Sequence, residues 1–148
     1  MLSPNIDVFR IWLHVVAACV WIGGQVALAA LVPVLRRTAD RAALQAVARQ
    51  FQRIAWPAFA VLVLTGMWNL VEIRIGDQSG PYLGSVFLKL VLVALSGAGA
   101  AAHALATGPA VSAATDEATR HRKQVVSGIT AGLGLLFALA AAFVGVQL

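Results

Sequence analysis

The stretch Arg10-Ile11-Trp12-Leu13-His14-Val15-Val16-Ala17-Ala18-Cys19-Val20-Trp21-Ile22-Gly23-Gly24-Gln25 decides how this chain is read. It opens a long apolar run, yet it carries an arginine, a histidine and a glutamine. At about 100° per residue, Arg10, His14, Ala17, Ala18, Trp21 and Gln25 fall on one stripe of a helix. An ionisable residue in a hydrocarbon-spanning segment is costly to bury unpaired, so the stripe marks a candidate functional site.

The surrounding composition places that helix in a membrane. Of 148 residues, 60% are hydrophobic and 11% charged, and the mean hydropathy is +0.85. An ordinary soluble domain carries about 25% charged residues. The formal net charge of +5 does not point to nucleic acid, because the basic residues cluster beside apolar runs. They read as topology signals and contacts to anionic headgroups of the lipid bilayer. The single cysteine, Cys19, excludes an internal disulfide and a CxxC metal site.

Four stretches are long enough for a hydrocarbon core of about 30 Å: Val8 to Leu35, Ile54 to Ile73, Gly84 to Ala106 and Val125 to Leu148. The expected fold is all-α, one four-helix membrane bundle over residues 1–148. Ala27-Leu28-Ala29 resembles a signal-peptide cleavage site, but no basic residue precedes Val8 and the apolar run continues to Pro33. The first span is therefore expected to be retained. Arg36, Arg37, Arg41, Arg49 and Arg53 fill the first connection, and Arg120, Arg122 and Lys123 the third; the other side has Arg10 and Arg74, with Lys89 just inside span three. The positive-inside rule then puts both termini outside a cytoplasmic (inner) membrane.

The connections add detail. Leu44, Val47, Ala48 and Phe51 recur at helical spacing opposite Arg41, Gln45 and Arg49, which predicts an amphipathic cytoplasmic extension before helix two. Thr115-Asp116-Glu117 reads as the N-cap and first turn of the last helix. Gly76 to Pro81 reads as a turn. A faint repeat relates Leu13-His14-Val15-Val16 to Leu88-Lys89-Leu90-Val91.

Depth decides which polar groups share a layer. His14 and Lys89 each lie five or six residues into their spans, roughly 8–9 Å down, and Met67, Trp68, Asn69 and Glu72 reach the same level. Thr65, Asn69 and Glu72 share one face of helix two, so Asn69 or Glu72 would satisfy Lys89. His103 belongs near the opposite surface, so it and His14 should not ligate the same metal. Lys89, Ser96 and His103 line one face of helix three, which predicts a polar seam between helices one and three. Gly128 and Gly132 form a GxxxG for close packing.

Each residue also has a plain structural reading. His14 would bond a carbonyl within the bundle, and Lys89 would snorkel to the interface. Trp12, Trp56 and Trp68 would form an interfacial belt, a role that suits the deeper Trp21 less well. His103 would be structural, and Cys19 and Met67 apolar filler. The sequence has no GxSxG, Walker loop, HExxH or paired carboxylates, so hydrolytic and nucleotide chemistry have no support.

Leu13-His14 through Trp21-Ile22-Gly23-Gly24, with Pro33-Val34-Leu35-Arg36, resembles the first helix of the copper resistance protein D family. Trp56-Pro57, Thr65-Gly66-Met67-Trp68 and Phe87-Leu88-Lys89-Leu90 extend the resemblance over residues 9–95. The pattern is also similar to the small four-helix membrane protoporphyrinogen oxidases. The resemblance implies functional roles for His14 and Lys89. In the oxidases such residues are associated with haem b and activity; in the copper family the domain is linked to copper uptake or tolerance. The chain departs from the oxidases at Arg120-His121-Arg122-Lys123-Gln124 and in the position of His103, and it lacks the methionine-rich segments of many copper-family proteins.

Two cofactors follow as expectations, haem b and, as the alternative, a copper ion. For haem, His14 is the axial metal ligand, Arg10, Arg74 or Lys89 would take the propionates, and Met67 is a candidate second ligand. Trp21, Trp68 and Asn69 are further candidate contacts, and Lys89 is the candidate catalytic residue. Copper(I) favours soft ligands, and one cysteine and one internal methionine make a poor set for a permease. A small assembly subunit is a third reading, with a homodimer or another membrane protein as partner.

Overall fold

A computed structural model describes residues 5–107 and 117–148. The chain is all-helical among them: α1 (Ile6–Thr38), α2 (Arg41–Glu72), a short 3-10 turn (Ile75–Asp77), α3 (Gly80–Thr107) and α4 (Glu117–Val146). All four helices are long and apolar enough to cross a membrane, over Ile6–Thr38, Ala42–Glu72, Gly80–Leu105 and Val125–Val146. The cap read at Thr115 and Asp116 lies outside the described residues. The chain forms two compact units, Met1–Gln78 and Ser79–Leu148, each a helical hairpin.

Local chemistry sets the helix ends of the first hairpin. The Asn5 side chain accepts from the Val8 amide at 2.9 Å, and Asp7 follows in the first turn. Both favour a helix start at Ile6, because the first-turn amides have no helical acceptor. Arg36 and Arg37 sit in the last turn, where cations complement the helix dipole. Only Ala39 and Asp40 join the two helices, and Asp40 caps α2 by accepting from the Ala43 amide at 2.7 Å. From there α2 runs unbroken through the amphipathic stretch to Glu72. Phe51 meets α1 at Gly24, where an added Cβ would lie 2.5 Å from the Phe51 ring.

The first hairpin ends on a residue with unusual backbone. Arg74 adopts φ 47, the left-handed conformation usual for glycine just past a helix end. That conformation costs a side-chain-bearing residue about 1 kcal/mol or more. Bonds from Arg74 N to Val71 O (3.1 Å), Asp77 N to Arg74 O (2.8 Å) and Gln78 Nε2 to Ile73 O (2.8 Å) hold it there.

The second hairpin packs through small residues. A Cβ on Gly99 of α3 would lie 3.0 Å from Gly134 Cα and 3.1 Å from the Thr130 carbonyl oxygen, both on α4. Ser96, 1% exposed, lies at the same crossing: its carbonyl oxygen would be 3.3 Å from a Cβ on Gly134. The GxxxG expected to provide close packing does not do so among the described residues, where nothing lies within 4 Å of a Cβ on Gly128 or Gly132. The sequence pattern gives spacing along one helix, whereas close approach depends on which face meets the neighbour.

A paired substitution separates these glycines. Gly99→Ala should destabilise the protein by about 1–3 kcal/mol, because backbone atoms block the new methyl and cannot rotate away. Gly128→Ala should be neutral or stabilising by up to about 1 kcal/mol, the helix-propensity gain. Thermal unfolding in detergent measures both.

Candidate functional site

The polar residues of α1 meet α2 within the first hairpin. Arg10 is 7% exposed, and His14, one turn further into the helix, is half-buried. The His14 Nδ1 lies 2.9 Å from Thr65 Oγ1, and Thr65 is itself buried. The Thr65 hydroxyl donates to the Val61 carbonyl at 2.7 Å. A hydroxyl has a single hydrogen. With that hydrogen committed to Val61, Thr65 Oγ1 receives the Nδ1–H of His14. In the neutral ring this leaves the lone pair on Nε2.

Gly66 stands beside the same ring. An added Cβ there would lie 3.3 Å from His14 Cε1. Glycine therefore keeps the edge of the imidazole uncrowded. Ligating histidines usually donate their other ring nitrogen to a fixed acceptor, which sets both tautomer and orientation. The Thr65–Val61 relay supplies that acceptor.

Arg10 lies nearer the open end of the hairpin, the end that carries Asn5 and Glu72. Its Nη2 is 3.3 Å from Asp7 and its Nη1 4.0 Å from Glu72. Nη1 also donates a long hydrogen bond, 3.5 Å, to the Trp68 carbonyl. The guanidinium carbon sits 5.9 Å from the Trp68 ring, whose indole N–H donates to Glu72 at 3.1 Å. Two buried atoms have no hydrogen-bond partner among the described residues, Arg10 Nε and Asn69 Oδ1. Asn69 lies between Thr65 and Glu72 on α2, so both atoms belong to the face that holds Arg10 and His14.

Other candidates fall elsewhere. Met67 is 59% exposed and two residues from Thr65, on a different face of α2. Met67 is level with His14 in depth, but it lies on a different face of α2 from Thr65, the residue that meets His14. Trp21 is buried against Phe59 (centroids 4.4 Å apart) and Trp56 (5.8 Å) in an aromatic cluster, about 10 Å along α1 from His14. The Gln25 side chain donates to the Trp21 carbonyl at 3.1 Å. Arg74 is exposed in the turn that ends α2. Thr65 and Gly66 belong to the Thr65-Gly66-Met67-Trp68 motif, whose residue types alone do not reveal that both stand at the His14 ring. The signal was the Val61-to-Thr65 spacing, at which a helical threonine bonds back to its own backbone.

Lys89 and His103 belong to the second hairpin and pair with α4. A Cβ on Gly145 would lie 2.8 Å from Lys89 Nζ, which places the ammonium against the last turn of α4, where helix dipoles favour cations. His103 Nδ1 lies 2.9 Å from the Ser127 carbonyl and 2.9 Å from its hydroxyl. A carbonyl can only accept, so this ring also carries its proton on Nδ1, and it ties α3 to α4. Glu72 lies against Arg10 and Trp68 in the first hairpin.

Two hydrophobic helical hairpins, with a histidine–threonine relay and a buried arginine in the first, define a multi-pass membrane protein with a polar site inside its apolar spans. A family profile described as Copper resistance protein D matches residues 45–146. The chain belongs to that family. The matched segment begins within α2, so α1 with Arg10 and His14 precedes it. No curated protein and no solved structure gives a significant match.

The ion pairs around Arg10 should respond unequally to single and double changes. Asp7→Asn or Glu72→Gln alone should cost no more than about 1 kcal/mol, since both carboxylates are half-exposed and screened. The double variant should cost more than the sum, because it leaves a buried guanidinium without counter-charge. Thermal unfolding of the four proteins in one detergent gives the coupling.

Proposed function

We propose that this copper-resistance family protein holds a metal centre on His14, and that the centre is a haem b. The observation that carries the reading is the Thr65–Val61 relay, which sets the His14 proton on Nδ1 and so keeps the lone pair of the neutral ring on Nε2, the atom that would ligate. The donor set favours haem over a bare ion. Among the described residues no three His, Cys, Asp or Glu side chains gather where they would hold a metal. A haem brings four nitrogens of its own and needs only one or two axial ligands.

The residues present suit such a group. Gly66 leaves room at the ring, and Arg10, one turn away, has an Nε–H with no partner among the described residues that would face a propionate once its head group is shared with Asp7 and Glu72. Arg74 at the same end is a second cation of this kind. A haem bound here supplies one-electron redox chemistry. The protein's part is to hold the axial nitrogen, set its tautomer and compensate the propionate charge.

Family membership favours a second reading, in which copper itself is the cargo and His14 one of its ligands. Copper would then need donors beyond His14, and Cys19 is exposed to the surroundings of α1.

An absorption spectrum and metal analysis on one purified sample separate the two. Haem predicts a Soret band that His14→Ala abolishes. Thr65→Val, nearly isosteric but without the acceptor, should weaken haem affinity by about 10–100-fold. Stoichiometric copper in a colourless sample that takes up no added haem would favour the second reading. Neither metal in wild type, or a band unchanged in His14→Ala, would contradict the haem site.

A further inference from the structure

The seam between α1 and α2 has a direction. At the open end of the hairpin stand Asp7 and Glu72, both half-exposed, with Arg10 between them. Just inside lie two buried polar atoms without a hydrogen-bond partner among the described residues, Nε of the same Arg10 and, one turn along α2 from Glu72, Asn69 Oδ1. His14 and Thr65 follow. Beyond them the polar character stops. Trp21, 3% exposed, closes on Phe59 and Trp56, and these two rings meet edge to face at 6.0 Å.

The two orphaned atoms have opposite hydrogen-bonding sense, a donor N–H and an acceptor oxygen. Leaving each buried and unpaired costs about 1–3 kcal/mol. Water can donate to one and accept from the other, and buried water is found where several polar groups converge. The aromatic cluster presents ring faces and indole N–H donors but no acceptor side chain, and Gln25 beyond it bonds back to its own helix through Nε2.

We propose that the α1–α2 seam is a one-sided aqueous access route. Water and small hydrophilic solutes reach His14 from the Asp7–Glu72 end, and the Trp21–Phe59–Trp56 cluster stops them there. Two carboxylates flank a single guanidinium at the mouth, and Arg74 and Asp77 on the adjoining turn offset each other. The mouth is thus net negative and admits cations in preference to anions. This deepens the His14 reading and rests on it only for the meaning of the destination: in the first hairpin His14 is a receiving site rather than a station in a through-pore.

Cysteine labelling of the full chain in proteoliposomes tests the route, with Cys19→Ser as background. Asn5→Cys, exposed at the open end, reports which side a water-soluble thiosulfonate reaches. Asn69→Cys, or Thr65→Cys should the first variant not fold, should be labelled from that side, faster by a cationic than by an anionic reagent. Gln25→Cys should resist labelling from that side and become reactive when Trp21→Ala is added. Asp7→Asn with Glu72→Gln should remove the preference for the cationic reagent. An inert Asn69→Cys and Thr65→Cys, or Gln25→Cys labelled from the open end with Trp21 in place, would overturn the proposal. The two readings fail separately. If His14→Ala loses the metal centre while both reporters stay inert, the access route falls and His14 stands. If labelling follows the expected pattern while His14→Ala changes nothing, the reverse holds.

Discussion

The Thr65 hydroxyl has one hydrogen, and the Val61 carbonyl takes it. That commitment makes Thr65 an acceptor toward His14 and sets the tautomer of that half-buried ring. The arrangement follows from the solvent. In hydrocarbon a polar group must find its partners in the protein or in water that the protein admits. Threonine suits the task, because it satisfies its own hydrogen on the helix and still presents an oxygen to its neighbour. Arg10 obeys the same constraint less completely: its head group is shared among Asp7, Glu72 and the Trp68 carbonyl, and its Nε is left over.

The second hairpin meets the constraint by different means. Gly99 and Gly134 bring α3 and α4 into backbone contact, which is the usual way membrane helices gain packing energy without a hydrophobic driving force. His103 then bonds the Ser127 carbonyl and hydroxyl across that contact. Lys89 lies against the end of α4 at Gly145, a position where the helix carbonyls are unsatisfied and a cation is favoured. These contacts tie His103 and Lys89 to α4 within the hairpin.

Much of this is legible in the residues alone, and the remainder is not for a definable reason. Hydropathy and length suffice for four membrane helices, because the bilayer fixes how many apolar residues a span needs. The Arg10–His14 stripe is equally plain, since helical spacing puts the two on one face. Depth is legible too, as rise per residue is constant. Rotation about the helix axis is not. Met67 has the depth of His14 but a different face from Thr65, and Gly128 and Gly132 have the spacing but no close neighbour among the described residues. The face formed by Thr65, Asn69 and Glu72 can be read from α2, yet its pairing with Arg10 and His14 emerges only when the helices are packed. Gly66 and Gly24 matter for what they leave uncovered, which no pattern of hydrophobicity records.

The central claim is that His14 is held with its proton on Nδ1 and its lone pair on Nε2. Nitrogen-15 NMR of histidine-labelled protein in detergent at neutral to alkaline pH reads this directly, because protonated and unprotonated ring nitrogens resonate far apart. The chain contains three histidines, and the His14 signals are those missing from His14→Gln. The account predicts a protonated Nδ1 and an unprotonated Nε2, with Thr65→Val shifting the ring toward a mixture of tautomers. A His14 ring protonated on Nε2 in the wild-type protein would contradict it.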